Sequence, residues 1–166
     1  MIFLTVGTQL PYERLIRAVD LWCENHREVS VFAQTATLIQ DGYIPQHMEH
    51  QAFMEPDLYK QKLEQSDLII SHAGMGSIIT ALTVGKPIVI MPRKASLNEH
   101  RNDHQLATAE QFQSRKGIHI ASDEKELPDI LDHLVNQSSD IQTGSANSFA
   151  NQDLIDAVRN FILGGS

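Results

Sequence analysis

The chain has 166 residues, of which 42% are hydrophobic and 20% are charged, a balance typical of a soluble globular protein with one substantial core. Lys and Arg number 13 against 21 Asp and Glu, so the formal net charge is −8. This charge argues against sequence-independent nucleic-acid binding, which needs a basic surface. The single cysteine, Cys23, permits no internal disulfide and favours a cytoplasmic protein. No apolar run has the length needed to cross a bilayer.

Predicted strands and helices alternate along the N-terminal part of the chain. The first residues lack the basic start of a signal peptide and are better interpreted as a strand that ends at Gly7-Thr8-Gln9. Apolar residues at helical spacing follow it. The predicted elements are strands over Ile2–Val6, Val29–Ala33 and near His50–Phe53, and helices over Tyr12–Asn25 and Pro56–Gln65.

The stretch from Ser66 to Pro92 predicts a strand, a glycine turn, a helix and a second strand. Leu68–Ile70 is a short apolar run suited to a buried parallel strand. Gly74 and Gly76 allow the backbone to turn sharply and to approach a ligand closely. The helix begins near Ser77, and Gly85 is placed to end it. A glycine turn before a helix N-terminus favours an anion, most often a phosphate.

After Pro92 the pattern predicts a polar loop and a helix over Asp103–Ser114. A strand over Gly117–Ile120 and a helix over Asp123–Val135 complete a domain at residues 1–135. Residues 136–148 are rich in Ser, Asn, Gln and Gly and predict a linker. Residues 149–166 predict an amphipathic C-terminal helix that docks either on the core of the chain or on a partner.

The alternation of strands and helices predicts an α/β, Rossmann-like open sheet, mostly parallel, with helices on both faces. Ligands of such sheets bind beyond the carboxyl ends of the strands. Four predicted loops lie at that edge, and they contain the polar motifs of the chain. These loops are Gly7–Gln9, the segment after Ala33, Ser71–Ser77 and Pro92–Asp103.

The central turn matches neither the dinucleotide fingerprint nor a P-loop. The first would place G-x-G-x-x-G in the first βα turn, and the second would add Gly-Lys-Ser/Thr. The remaining interpretation is a diphosphate held by the backbone N–H groups of Gly74 to Ser77, by the Ser77 hydroxyl and by a donor from His72. Ser77 as a plain helix cap and His72 as a structural residue remain alternatives.

The motif His72-Ala-Gly-Met-Gly-Ser77, followed by Gly85-Lys-Pro87, Pro92 and His104-Gln105, resembles the donor-binding half of GT-B glycosyltransferases, and of family 28 in particular. That family includes the bacterial GlcNAc transferase that completes lipid II and the small catalytic subunit of the eukaryotic dolichol-linked GlcNAc transferase. The same motif order appears in the signature box of plant UDP-glycosyltransferases. The resemblance covers Met1 to about Val135 and the predicted C-terminal helix.

The resemblance implies roles for individual residues of this chain. The diphosphate would lie at His72, Gly74, Met75, Gly76 and Ser77, with Gly7 and Thr8 across the cleft. The donor sugar hydroxyls would bind His104 and Gln105. Thr80 stands where many relatives carry a Glu that holds the ribose, and a hydroxyl cannot accept a bidentate pair as a carboxylate does. Arg93, Lys94 and Arg101 would supply positive charge near the phosphates or lie in a solvated loop.

The resemblance also implies what the protein does. A GT-B enzyme combines an acceptor domain with a donor domain, and this chain resembles the donor half alone. It predicts the UDP-sugar-binding catalytic subunit of a two-component glycosyltransferase, cytoplasmic and held at the inner membrane face by a membrane-anchored, acceptor-binding partner. The acceptor would be a lipid-linked saccharide in exopolysaccharide or capsule synthesis. The UDP-sugar is the donor substrate, and no further cofactor is expected.

The general base is not evident from the sequence. Glu99, His100 and Asp103 are weak candidates, and the partner could supply this group instead. His100 and His104 have the spacing of metal ligands on a helix, but transferases of this type commonly work without a metal, and we predict none. A non-catalytic nucleotide or nucleotide-sugar-binding regulatory protein is the alternative function. A nicotinamide-dependent enzyme is disfavoured by the missing fingerprint.

Overall fold

A computed structural model of the protein describes residues 1–36 and 42–141. The strands are β1 (Ile2–Thr5), β2 (Val31–Gln34), β3 (Glu49–Gln51), β4 (Leu68–His72), β5 (Ile88–Met91) and β6 (Ile118–Ile120). The helices are α1 (Glu13–Asn25), α2 (Pro56–Gln65), α3 (Met75–Thr83), α4 (His104–Phe112) and α5 (Leu127–Ile141), with a short 3-10 helix at Ala95–Leu97. This confirms the predicted Rossmann-like α/β fold.

The strands form one sheet in the order β3-β2-β1-β4-β5-β6, and every pair in it is parallel. The order reverses between β1 and β4, which are neighbours with Leu4 opposite Ile70 and Thr5 opposite Ser71. The chain leaves β1 toward one half of the sheet and leaves β4 toward the other. A crevice therefore opens beyond the carboxyl ends of these two strands, where such sheets bind ligands.

Each face of the sheet carries its own apolar core, which explains the continuous apolar runs in the strands. Leu4, Ile70 and Val89 belong to the core that includes α1 and α5. Phe3, Ile69 and Ile88 belong to the core on the opposite face. That second core includes side chains of α2, α3 and α4. Burial on both sides fixes the strand register, because a slip of one residue would exchange the two sets.

Several predicted boundaries differ from the observed ones. Strand β2 extends to Gln34, whose side chain is buried and accepts a hydrogen bond from the Thr5 hydroxyl. Helix α3 begins at Met75 rather than near Ser77, because Gly74 already serves as its N-cap. Gly85, with φ of +67°, follows the helix as predicted.

Helix α5 continues to Ile141, six residues into the stretch predicted as a linker from residue 136. Asn, Gln and Ser are polar but do not break a helix as Gly and Pro do, and the first Gly after α5 is Gly144. The rest of that linker and the C-terminal helix predicted at 149–166 lie outside the described residues. No helix within residues 1–36 and 42–141 combines the length and apolar character needed to span a membrane.

Asp20 on α1 anchors the segment that leads into β3. Its buried carboxylate accepts hydrogen bonds from the Tyr43 hydroxyl (2.6 Å) and from the backbone N–H groups of Gln46 (2.9 Å) and His47 (2.7 Å). Burial alone would raise the pKa of Asp20, but these donors together hold it below its ordinary value.

Asp20→Asn should lower the free energy of unfolding by about 1–3 kcal/mol, because an amide nitrogen replaces an acceptor that faces three donors. Glu24→Gln, an exposed change on the same helix, should leave stability nearly unchanged. The pKa of Asp20 is depressed, so its contribution is present at neutral pH and is lost as the pH falls below about 4. Urea unfolding at neutral and acidic pH measures this, and an Asp20→Asn protein as stable as wild type at neutral pH would contradict the anchor.

Candidate functional site

A cavity of about 290 Å³ lies at the crevice between β1 and β4. It is lined by the residues that follow β1, by the last residue of β4 and by side chains from the segment after β5. These residues are Val6, Gly7, Thr8, Gln9, Leu10, His72, Arg93, His100 and Gln105. None of them is acidic, although the chain as a whole carries a formal charge of −8.

The imidazole of His72 lies between two glycines and brings the loops after β1 and β4 together. A Cβ built on Gly74 would be 2.3 Å from the His72 Nε2. A Cβ built on Gly7 would be 3.2 Å from the His72 Cε1, and Gly7 also has a φ of +79°. Both positions therefore require glycine, one because of space and the other because of space and backbone conformation.

The hydrogen bonds around His72 assign its tautomer. The Ser71 hydroxyl donates its only proton to the Thr5 carbonyl (2.9 Å), so its oxygen accepts from the His72 Nδ1, 3.2 Å away. The Nε2 of the neutral ring then carries a lone pair and accepts rather than donates. Our expectation that His72 donates to a phosphate does not fit this tautomer, and donation would require a proton to be taken up at Nε2.

The protonation state of His72 follows from its surroundings. Burial, and to a smaller extent the nearby Arg93 guanidinium, lower the pKa of His72 to about 4. The folded protein therefore holds a neutral ring at neutral pH. Because an unfolded His titrates near 6.5, the contribution of this ring to stability decreases as the pH falls from about 6.5 toward 4.

Helix α3 begins at Met75, three residues after the last residue of β4. The Gly74 N–H donates to the His72 carbonyl (2.8 Å) and is not available to a ligand. The N–H groups of Met75, Gly76 and Ser77 make no hydrogen bond within the described chain. Three backbone donors and the positive end of the helix dipole therefore remain available for an anion.

Two hydroxyls of α3 were predicted to take part in binding. Ser77 lies inside the first turn rather than at the cap, and its hydroxyl makes no hydrogen bond within the described residues, so the helix-cap alternative is wrong. The Thr80 hydroxyl donates to the Gly76 carbonyl at 2.7 Å. This back-bond uses the only hydroxyl proton of Thr80, so its oxygen can accept from a ribose hydroxyl but cannot donate to one.

Arg93 is buried and directs its guanidinium at the loop between β1 and α1. It donates to the carbonyls of Val6 (3.1 Å), Leu10 (2.8 Å) and Pro11 (2.7 Å) and packs 4.4 Å from the centre of the Tyr12 ring. The alternative that it belongs to a solvated loop is wrong. Within the described chain it has no carboxylate at ion-pair distance, although Glu99 lies close enough to interact with its charge.

Side chains from further along the loop accept hydrogen bonds from the three backbone N–H groups that follow Pro92. Arg93 N–H donates to the Gln105 Oε1 (3.0 Å), Lys94 N–H to the Glu99 Oε2 (2.9 Å) and Ala95 N–H to the Asp103 Oδ1 (2.9 Å). Glu99 also holds Arg14 through both carboxylate oxygens, at 2.6 and 2.8 Å. Long-range side-chain contacts thus shape a loop that has little regular structure.

This arrangement determines how the Gln105 carboxamide is oriented. The Arg93 N–H can only donate, so Oε1 must face it and the NH₂ group must point elsewhere. Gln105 is only 8% exposed and its Nε2 makes no hydrogen bond to the described chain. Since no buried side-chain nitrogen of the described residues lacks a partner, this NH₂ reaches solvent in the cavity that Gln105 lines. His104, by contrast, is exposed on the first turn of α4.

The three candidate bases occupy different positions. Glu99 is engaged by Arg14 and Lys94, and Asp103 is exposed and accepts from Ala95, so neither carboxylate lines the cavity. Only His100 lines the cavity, with its Nδ1 3.1 Å from the Asn102 Oδ1. Within the described residues there is no cluster of three or more His, Cys, Asp or Glu suited to a metal ion.

The structure brings part of the predicted site together. Gly7, Thr8, His72 and Gln105 line one cavity, and Gly74 to Ser77 follow directly from His72. Thr80 and His104 do not line it. No binding role was predicted for Gln9 or Leu10, which also line the cavity, and Arg93 was assigned only a general charge. Their signal was position, since all three follow strands β1 and β5 at the carboxyl edge.

A larger cavity of about 600 Å³ lies between α1 and α5. It lies beside Trp22, whose indole N–H donates to the Asp132 carboxylate at 2.7 Å. This groove is lined mainly by α1 and α5, with Glu124 from the segment after β6, and it includes no described residue of the loops after β1, β4 or β5. We therefore place the functional site at the smaller cavity, where a buried cation and oriented donors converge.

Fold and cavity together define a Rossmann-like α/β domain with a candidate binding site at the carboxyl edge of its sheet, and the comparison with known families narrows this class. Residues 1–158 match the family described as "Glycosyltransferase family 28 C-terminal domain". The chain belongs to this family.

Individual relatives share parts of this chain. The "UDP-N-acetylglucosamine transferase subunit ALG13" of Homo sapiens is 30% identical over 120 residues, which are 67% of this chain and 10% of the human protein. The chain thus spans about a tenth of that relative. The crystal structure of the glycotransferase of kitacinnamycin is similar over 82% of this chain and 34% of its own chain, with a TM-score of 0.60 and 24% identity. The NMR structure of ALG13 is similar over 89% of this chain and 88% of its own chain, with a TM-score of 0.53 and 19% identity.

Gly74→Ala and Gly76→Ala should change the stability of the protein in opposite directions. The new Cβ of Gly74→Ala meets His72, so the ring must leave its place and the melting temperature should fall. At Gly76 a Cβ meets nothing within 4 Å, and Ala stabilises a helix by about 0.5–1 kcal/mol relative to Gly. Thermal unfolding of both variants tests this. A Gly74→Ala protein as stable as Gly76→Ala, with an unchanged His72 NMR signal, would contradict the packing described.

Proposed function

We propose that this chain is the UDP-sugar-binding subunit of a two-component glycosyltransferase. The observation that carries the proposal is the joint presence, at the β1–β4 crevice, of a buried unpaired cation and of outward-facing N–H donors. Arg93 supplies the charge, the Gln105 NH₂ supplies a donor in the cavity, and the α3 N-terminus supplies three more. Membership of glycosyltransferase family 28 supports a nucleotide-sugar over other anionic ligands.

The donors suggest how the diphosphate and the sugar divide the site. The N–H groups of Met75, Gly76 and Ser77 face the position of an anion at the helix N-terminus, and the Ser77 hydroxyl adds a fourth donor. The cavity beyond His72 then accommodates the sugar, where the Gln105 NH₂ can donate to a hydroxyl. Named relatives transfer N-acetylglucosamine from its UDP derivative, so UDP-N-acetylglucosamine is the first donor to test.

The chemistry proposed for this chain is electrostatic. Transfer breaks the bond between the anomeric carbon and the diphosphate, so negative charge develops on the leaving UDP. Fixed N–H dipoles and the Arg93 charge stabilise that charge without having to reorganise during the reaction. No carboxylate of the described residues lines the cavity, so we assign the general base to the partner subunit, with His100 as the candidate within this chain.

The absence of a free carboxylate at the cavity also favours a second candidate function. A protein that binds a nucleotide-sugar and regulates another enzyme would need the same donors and no base. The two functions differ in one measurement. A catalytic subunit releases UDP from the UDP-sugar when its partner and acceptor are present, whereas a regulatory protein does not.

The partner would complete the site from the carboxyl edge of the sheet. A groove of about 530 Å³ adjoins the cavity there and shares Leu10 and His100 with it. Leu10 and Leu97 are 45% and 52% exposed at this groove, an apolar exposure that a second protein could bury. We propose a membrane-anchored, acceptor-binding subunit here, a lipid-linked saccharide of exopolysaccharide or capsule synthesis as acceptor, and a cytoplasmic location at the inner membrane face.

Nucleotide specificity tests the proposed function directly. Calorimetry should show micromolar to millimolar binding of UDP and UDP-N-acetylglucosamine, with weaker binding of GDP and none of NAD. Gly76→Val should abolish this binding while circular dichroism stays native, because its side chain enters open space at the diphosphate position. Gly76→Ala serves as the smaller control. Preference for NAD, or a folded Gly76→Val protein with wild-type UDP affinity, would refute the assignment.

Partner dependence is tested with two leucines of equal exposure. Leu97→Ser, at 52% exposure beside the cavity, should reduce the UDP that is released when membranes of the source cell are added, yet leave UDP binding unchanged. Leu21→Ser, at 51% exposure on α1, should change neither. Full transfer by the purified chain alone would refute the two-component proposal. A loss in Leu21→Ser but not in Leu97→Ser would move the partner to the groove between α1 and α5.

A further inference from the structure

Arg93 connects the two loops that form the cavity, although it lies on only one of them. Its guanidinium contacts the segment after β1, and its backbone N–H contacts Gln105 at the start of α4. A single residue thus joins the segment after β1 to the segment after β5. Neither contact is explained by the stability of the sheet alone, because both lie beyond the strand ends.

The guanidinium defines the shape of the loop between β1 and α1. The carbonyls of Val6, Leu10 and Pro11 all point toward one side chain, at 3.1, 2.8 and 2.7 Å. Carbonyl dipoles that converge in this way repel one another unless a cation lies between them. The planar fork of Arg matches three acceptors and the Tyr12 ring at the same time, which the compact ammonium of Lys does not.

The charge of Arg93 also reaches the ligand space. Arg93 lines the cavity, no acidic residue of the described ranges does so, and Glu99, a carboxylate in the same loop as Arg93, pairs with Arg14. Burial lowers the pKa of Arg93, yet an arginine in contact with three carbonyls remains protonated at neutral pH. Glu99 interacts electrostatically with Arg93 and compensates part of its charge, but no carboxylate of the described residues pairs with it directly. Positive charge therefore remains where a diphosphate would bind, and screening by salt is weaker there than at the surface.

We propose that Arg93 is a positioning residue for the nucleotide-sugar. It holds the loop after β1 against the cavity, turns the Gln105 NH₂ toward the ligand, and favours an anionic ligand through its own charge. This inference rests on the proposed function. The inference adds a residue that positions the loops of the site to the residues proposed to contact the ligand.

Three variants of the full-length chain separate charge from shape. Arg93→Lys keeps the charge and loses the fork, whereas Arg93→Met removes both. Arg27→Met is the matched control, because it removes the same charge at the opposite edge of the sheet, where Arg27 follows α1. Circular dichroism and thermal unfolding establish that each variant is folded.

Two measurements then apply to each folded variant. NMR titrations with UDP and with uridine, which lacks phosphate, measure how much of the loss depends on the diphosphate. A pH titration of the His72 ring measures the Arg93 charge independently of any ligand, because that guanidinium helps to lower the His72 pKa to about 4. If Arg93 had only a structural role, its replacement would not change the His72 pKa selectively.

We expect Arg93→Lys to bind UDP roughly tenfold more weakly than wild type, the effect of about one lost hydrogen bond, with the His72 pKa still low. Arg93→Met should bind UDP more weakly still, lose less affinity for uridine than for UDP, and show a raised His72 pKa. Arg27→Met should match wild type in every measurement.

A folded Arg93→Met protein with wild-type UDP affinity would overturn the inference. If Arg93→Met does not fold, wild-type UDP affinity in Arg93→Lys would overturn it instead. Equal losses for UDP and uridine, with an unchanged His72 pKa, would reduce Arg93 to a structural residue and also overturn it. Absence of UDP binding by the wild-type chain would refute the proposed function itself, and this inference with it.

Discussion

The parallel pairing of β1 with both β2 and β4 is the constraint on which the rest of the structure depends. Burial of the sheet on both faces requires the central strands β1, β4 and β5 to be largely apolar, so most polar groups collect beyond the strand ends, whereas the edge strand β3 is polar and mostly exposed. The connections after β1 and β4 diverge because the strand order reverses there. The carboxyl ends of these strands thereby form a crevice whose walls are loops and whose floor is the sheet. The His72 ring contacts Gly7 within this crevice.

An acidic protein maintains a positive site by local exclusion of acids rather than by overall charge. The carboxylates nearest to the cavity are occupied elsewhere: Glu99 binds Arg14, and Asp103 accepts from the backbone of Ala95. Arg93 donates to three carbonyls and forms no ion pair within the described chain. The His72 ring packs between two glycines where the loops approach each other. Because this ring is neutral, it does not add a second buried cation to the site.

Local patterns in the sequence were sufficient to predict the fold and the turn between β4 and α3. The strand, the glycine turn at Gly74 and Gly76 and the end of the helix at Gly85 are all determined by residues that are close in sequence. The orientation of Gln105 depends instead on one N–H twelve residues away, and the Arg93 guanidinium reaches carbonyls more than eighty residues away. No spacing rule encodes such contacts. The same holds for the His72 tautomer, which follows from a proton that Ser71 donates to the neighbouring strand.

The central claim is that one ligand spans the α3 N-terminus and the cavity beside Gln105. An NMR titration of the ¹⁵N-labelled chain with UDP-N-acetylglucosamine, and then with UDP, tests it most directly. We expect both ligands to shift the N–H signals of Gly76 and Ser77, and only the intact UDP-sugar to shift the Gln105 side-chain NH₂. Saturable shifts confined to the groove between α1 and α5, with none at Gly76, Ser77 or Gln105, would contradict the account.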